Sequence, residues 1–288
     1  MSDYVIMTDS DSELDMTYCQ MHDVPVLLMP YIIHDQEFVY SPGVGFDAAA
    51  FYAQLRDGTI VTTAGRNPND FIDLWEPLLR QGKDILYIGV SSALSNTFSN
   101  SVLARDTMLQ SYPQRTIRLV DTLRISMPMG LMVMQAIEMR EQGQAVDAVA
   151  DWLEQNKLRF RAWFTVDDLG YLKRGGRLSG AAAFMGTILN IKPILHISDE
   201  GKLVPIDKQK GRKKALLSLL EMAEAEMAPP EEHRLAIMHA DCIEDADWLR
   251  RKLSERHNCK DILVLPVGPV IGSHAGPRTM ALCYYAKA

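Results

Sequence analysis

Six hydroxyl side chains fall within the twelve residues VSSALSNTFSNS (90–101), directly behind the apolar run DILYIGV. A hydroxyl attacks a carbonyl or phosphoryl centre once a general base lies beside it. Beside free helix N-terminal amides, hydroxyls can instead cradle an anion. The first reading needs a base, and His274, in VIGSHAGPR (270–278), is the best placed: Gly272, Gly276 and Pro277 flank it. A glycine-rich loop lets backbone approach a ligand, so His274 is expected to face a site. The stretch around Ser95 has no Gly-x-Ser-x-Gly elbow, which weighs against a serine hydrolase built from Ser95 and His274. The other histidines read as structural or exposed.

Two further groups carry chemistry. In IVTTAGRNPNDF (60–71), Thr62 and Thr63 precede Asn67-Pro68-x-Asp70. Asn before a Pro, with an acid two residues later, is a strong helix-start signal. The threonines therefore read as a loop leading to a helix N-terminus. Ser91, Ser92, Ser95, Asn96 and Thr97 hold the equivalent place behind the run 84–90. Each hydroxyl alone reads as a helix cap, whereas the two clusters on one sheet edge together form a candidate anion site. In VIMTDSDSE, Asp9-x-Asp11 follows an apolar strand, the arrangement of a Mg²⁺-dependent phosphatase with one carboxylate as nucleophile and the next as acid/base. Ser12 and Glu13 depart from that motif, and capping or turn roles suit Asp9, Asp11 and the later pair Asp167-Asp168 better.

These residues need elements to hold them. YVIMTDS (4–10), VPVLLMPYII (24–33), DILYIGVSS (84–92) and TIRLVDT (116–122) are apolar runs of strand length. Amphipathic segments at 46–57, 68–81 and 97–111 separate them, and such alternation predicts an α/β layer with a largely parallel sheet. Ligands bind such sheets at the carboxyl edge of the strands. Helical patterns cover 126–142 and 144–156. The second half is mixed: RAWFTV and the hairpin IKPILHISDEGKLVPIDKQK read as strands, DDLGYLKRGGR as a short helix stopped by two glycines, and GAAAFMGTILN as an apolar helix. Helices at 212–227 and 244–257, the strand RLAIMHA and the paired apolar runs ILVLPVGPVIG and TMALCYYA follow. The fold class expected is α/β with two domains, 1–158 carrying a parallel sheet and 159–288 a mixed one.

Composition narrows the function. The chain has 288 residues, 47% hydrophobic and 23% charged, which is ordinary for a globular protein. A net charge of −7 opposes a nucleic-acid surface, which relies on clustered Lys and Arg. The basic cluster KQKGRKKAL (208–216) reads as a solvated helix start. No apolar run approaches the ~18 residues of a membrane helix, and no signal-like segment opens the chain, so a cytoplasmic protein is expected. Cys19, Cys242, Cys259 and Cys283 lack metal-ligand spacing and read as reduced packing residues. No metal or cofactor is expected.

Several stretches together resemble one family. DDLGYLKRGGRLSGAAAFMGTILNIKPILHISDEGKL, VDTLRISMPMGLMV, SSALSNTFSNSVLA and GPVIGSHAGP resemble, in order, signatures of the DegV family of bacterial fatty-acid-binding proteins. The resemblance implies a two-domain α/β carrier, without catalytic activity of its own, that holds one long-chain fatty acid such as palmitate or oleate. It implies that Thr63 and Ser95 hold the carboxylate, with His274 close by, and that the acid is presented to a separate fatty acid kinase. Arg174 and Arg177 are implied as a kinase contact, with a solvated helix end as the alternative; transient contact with a membrane stays open. Three departures stand out: Thr63-Ala64-Gly65-Arg66-Asn67 replaces Thr-Ser-Gln-Pro-Ser, Asn96 replaces the glycine of Ser-Gly-Thr, and Arg278 replaces a glycine. Arg66 and Arg278 are thus candidate head-group partners or solvated charges.

Physical chemistry suits that assignment. Burying a methylene gains ~0.8 kcal/mol, so a tail of about sixteen carbons offers on the order of 12 kcal/mol before ordering costs. The Met- and Ala-rich segments 126–139 and 180–189 could line a tunnel or form ordinary core. A buried carboxylate must be hydrogen-bonded or it takes up a proton. Hydroxyls and helix amides supply donors without quenching its nucleophilicity as an Arg clamp would.

Overall fold

The computed structural model describes residues 3–180 and 190–288. The segment 181–189, read above as part of an apolar helix, lies outside them. In chain order the strands are β1 Tyr4–Asp9, β2 Val26–Leu27, β3 Pro30–Ile33, β4 Gln36–Val39, β5 Val61–Thr63, β6 Asp84–Gly89 and β7 Ile117–Asp121. They continue with β8 Phe160–Thr165, β9 Ile191–Ile197, β10 Leu203–Lys210, β11 Arg234–His239, β12 Asp261–Pro266 and β13 Met280–Tyr285. The helices are α1 Met16–Met21, α2 Ala48–Arg56, α3 Pro68–Arg80, α4 Thr97–Ser111, α5 Met127–Glu141 and α6 Val146–Asn156. Then come α7 Gly170–Arg174, α8 Arg212–Glu226, α9 Ile243–Arg256 and α10 Pro269–Ala275.

One sheet is parallel throughout, in the order β2-β1-β6-β7. A second is mixed, in the order β10-β9-β8-β13-β11-β12, with only β11 and β12 parallel. A small antiparallel sheet, β4-β3-β5, completes the fold.

Strand alternation explains the layers. Side chains of a strand point to opposite faces in turn. In β1, Val5 and Met7 pack with Phe71, Trp75 and Met108 of α3 and α4, while Tyr4 and Ile6 enter a core shared with α5. In β11, Leu235 and Ile237 meet Leu216 and Leu249 of α8 and α9, while Ala236 and Met238 face that same α5 core. Both sheets therefore carry helices on both faces, and the strands at their centre that are buried on both, β1, β6 and β11, read as near-continuous apolar runs. Helix α5 is buried nearly all round because it lies between the two sheets.

Arg124, fully buried, fastens the loop after β7 to the second sheet. It donates to the carbonyls of Phe160 (2.6 Å), Leu123 (2.8 Å), Ser198 (2.9 Å) and Leu158 (3.0 Å).

Two strand expectations are corrected. The run 24–33 is two strands in different sheets, because Pro30 lacks the amide that a continuing ladder needs. The runs at 262–272 and 279–286 do not pair; β11 lies between their strands, and residues 269–272 belong to α10. The threonines at 62 and 63 end β5 rather than sitting in a loop.

Candidate ligand-binding site

Thr63 stands opposite Tyr31 in the β3–β5 ladder, and Thr62 opposite Ile32. Period-two alternation turns the two threonines to opposite faces. Thr63 faces inward, where its Oγ1 lies 2.8 Å from Nε2 of His274. His274 is in the last turn of α10, a helix started by Pro269 at its first position, so the glycines around it do not form the loop that the sequence suggested. Burial, helped by the positive charge of Arg177, pulls His274 down to about 4. The ring is neutral at neutral pH and shares a single hydrogen bond with Thr63.

Gly175 explains the Gly-Gly pair. A Cβ built on it would stand 2.1 Å from Nδ1 of His274, so only glycine lets the α7 end pass the ring. Gly176 has φ +69 and open space around it, so it serves the turn itself.

The hydroxyl-rich segment meets the threonine segment directly. Ser95 Oγ lies 2.9 Å from Thr97 Oγ1 and accepts from the Thr97 amide at 3.2 Å. Thr97 Oγ1 in turn accepts from the Arg66 amide at 3.2 Å. Gly65 sits so close that a Cβ there would come within 3.2 Å of Thr97 Oγ1 and 3.6 Å of Ser95 Oγ. Asn67 caps α3 through its side chain, with Asp70 completing the capping box.

Thr63, Ser95, His274 and Arg177 all line one cavity. The rest of its wall is mostly apolar, with Ile125, Phe164, Leu172, Ile197, Leu203 and Met238 among the residues that face it. A second, outer cleft shares Thr63, Arg177 and His274 with this cavity, so the polar end is where the two spaces meet. Arg177, donating to the carbonyls of Leu94 (3.2 Å) and Gly175 (2.5 Å), has no ion-pair partner among the described residues. Sequence reasoning placed it on a surface patch and missed its place in the wall. The signal was there in Gly175-Gly176, which folds the chain after α7 back toward α10.

The other candidates lie elsewhere. Thr62 is exposed and lines only the outer cleft, as does Arg174, whose guanidinium stacks 4.4 Å from the Tyr171 ring centre. Ser92 and Asn96 are exposed and outside the cavity wall. Gly272 clears room for Tyr52, whose Oη would be 2.3 Å from a Cβ there. Arg66 donates to the Leu28 carbonyl at 2.7 Å, and Arg278 pairs with Asp167 and Asp245; neither lines the cavity. Asp168 accepts from the Gly170 amide at 2.7 Å, as a turn residue should, but Asp167 pairs with Lys192, Arg212 and Arg278 and caps nothing.

Neither enzymatic alternative finds its geometry. His274 bonds to Thr63 while Ser95 bonds to Thr97, so no serine–histidine pair exists among the described residues. Asp9 is fully buried, its oxygens taken by the Tyr87 hydroxyl (2.7 Å) and the amides of Val90 (3.0 Å) and Asp11 (3.1 Å). Glu13 accepts from the Tyr40 hydroxyl and the Gly268 amide, both at 2.9 Å. Among the described residues no group of three His, Cys, Asp or Glu side chains is placed to hold a metal. No described helix is long and apolar enough to cross a membrane.

Known proteins share this architecture. A family model described as "Uncharacterised protein, DegV family" matches residues 3–287. A DegV domain-containing protein of Clostridium perfringens is 38% identical over 284 residues, 99% of this chain and 98% of the relative. A solved DegV family protein of Thermus thermophilus, described for its fatty acid binding, is 30% identical with a TM-score of 0.87 over the whole of both chains. DegV of Bacillus subtilis, described as a fatty acid binding protein, is 28% identical with a TM-score of 0.83, again over the whole of both chains. Sequence and fold agree along the full length, and the chain belongs to the DegV family.

Proposed function

We propose that the cavity holds one long-chain fatty acid. Its carboxylate sits among Thr63, Ser95 and His274, where the cavity meets the outer cleft, and its tail runs inward over Phe164, Leu172, Ile197 and Met238. The observation that carries this reading is the cluster of Thr63, Ser95 and His274 where a mostly apolar cavity meets the outer cleft. A neutral His274, a threonine and a serine offer hydrogen bonds without a paired cation, and the Arg177 charge acts on the same end from its place on carbonyls. A carboxylate held this way keeps the lone pairs that attack on a phosphoryl donor requires.

The protein then serves as a carrier that presents the acid to a separate kinase, with Arg174 and the outer cleft beside the exposed head group as the place of contact. The hand-over rests on the family resemblance, and the fatty acid reading does not depend on it. Native mass spectrometry of protein purified from cells tests the binding: a retained mass near that of a sixteen- to eighteen-carbon acid is expected. Thr63→Ala and Ser95→Ala should each weaken fatty acid binding about tenfold, the worth of one hydrogen bond to a charged group. Undiminished binding and undiminished transfer to a kinase in both variants would refute the head-group assignment.

A further inference from the structure

Asp11 is the one acid in the cavity wall, and the head-group reading gives it no task. It is 4% exposed, and its Oδ1 meets no hydrogen-bond partner. Its neighbours Asp9 and Glu13 have their oxygens committed to Tyr87, Val90, Tyr40 and Gly268. Asp11 alone of the three is left facing the space. Beside it, Ser126 donates its amide to the Asp11 carbonyl at 2.8 Å, lines the same cavity, and makes no capping bond to α5. No described hydrogen bond joins Asp11 or Ser126 to Thr63, Ser95 or His274.

A buried polar atom without a partner is costly, and where one persists a ligand group or an ordered water completes it. Burial, reinforced by the charges of Asp9 and Glu13 and opposed by that of Arg177, holds the Asp11 carboxyl well above the ordinary range. A protonated carboxyl both donates and accepts one hydrogen bond. That pair of capacities matches an alcohol and opposes a bare methylene chain, which leaves the acid unpaired.

We propose that Asp11 and Ser126 form a second polar subsite in the cavity wall that selects acyl chains bearing a hydroxyl over plain saturated chains. This inference rests on the fatty acid reading of the cavity and names the substrate class more narrowly. A hydroxyl at the matching carbon satisfies Asp11 in place of water, while the carboxylate keeps its place beside Thr63.

The test is a binding panel on delipidated wild-type protein: hexadecanoic acid and its monohydroxylated analogues, with the hydroxyl near the carboxylate, at mid-chain and near the methyl end. One analogue is expected to bind about tenfold tighter than hexadecanoic acid, from one added hydrogen bond. Asp11→Ala should erase that margin while binding hexadecanoic acid at least as well as wild type; Asp11→Asn, close in shape and able to donate and accept, should keep most of it. Equal or weaker binding of every hydroxylated analogue overturns the subsite yet leaves the fatty acid reading standing. A preferred analogue whose margin survives in both Asp11→Ala and Ser126→Ala overturns the assignment to these residues. Failure of wild type to bind hexadecanoic acid and all analogues sinks the fatty acid reading itself.

Discussion

Gly175→Ala tests the site through one added methyl group. Its backbone, at φ −71 and ψ −8, suits alanine, so the substitution carries no conformational penalty. The penalty is steric: the new carbon would stand 2.1 Å from Nδ1, 3.0 Å from Cε1 and 3.2 Å from Cγ of His274. Ordinary contact begins near 3.4 Å, so the ring must retreat by more than an ångström, and the 2.8 Å bond to Thr63 is broken. Overpacking of this kind costs about 1–3 kcal/mol, which lowers the melting midpoint by about 2–6 °C in a chain of this size. Loss of the His274–Thr63 geometry should weaken fatty acid binding about tenfold. Gly176→Ala is the matched control. Its φ of +69 strains alanine by about 1–2 kcal/mol, yet nothing lies within 4 Å of the new carbon. It should lose stability and keep its affinity. Titration calorimetry on delipidated proteins, with thermal melts, separates the two. Wild-type affinity in Gly175→Ala, or equal loss in both variants, would refute the argument.

Glu13 predicts a pH dependence. Burial raises it from 4.5 to about 8, so its contribution is fully present below pH 4.5 and lost as pH rises through about 8. Urea unfolding should show wild type losing on the order of 5 kcal/mol relative to Glu13→Gln across that window; a constant difference would contradict it. His274, lowered to about 4 from 6.5, acts with the opposite sign and lowers stability as pH falls through that range. Its imidazole resonances should stay those of a neutral ring from pH 8 down to 5, and a midpoint near 6.5 would remove the reason for a neutral ring. Arg124→Met removes four hydrogen bonds, of which the Leu158 and Ser198 carbonyls keep other donors in Arg161 Nε and the Gly201 amide, and should cost at least about 2 kcal/mol in urea unfolding. A smaller loss would show that water replaces the guanidinium.

Local chemistry was legible where it was self-contained. The Asn67-Pro68-x-Asp70 start of α3 forms the capping box its spacing implies, and the apolar run at 84–89 is a fully buried strand. What escaped depended on partners distant in sequence. β4, Gln36–Val39, is exposed along its length at the edge of the small sheet, so no alternation marked it. The break in 24–33 turned on Pro30 leaving one sheet for another. His274 looked like loop because glycines surround it, yet those glycines make room for Tyr52 and Tyr171 against a helix. Thr63 and Ser95 were singled out within their clusters only through the family resemblance; the residues alone gave two hydroxyl-rich helix starts as a candidate anion site and favoured capping for each hydroxyl taken singly. Arg177 and Asp11 entered the cavity wall through the fold, Arg177 by the turn at Gly175-Gly176 and Asp11 by the short 3₁₀ turn after β1.

The most direct test of the account is a crystal structure of the delipidated protein reloaded with hexadecanoic acid. The carboxylate should lie within hydrogen-bond distance of Thr63 Oγ1 and Ser95 Oγ, with the methyl end among Phe164, Leu172 and Ile197. A carboxylate at the other end of the cavity, or a ligand held only in the outer cleft, would contradict it.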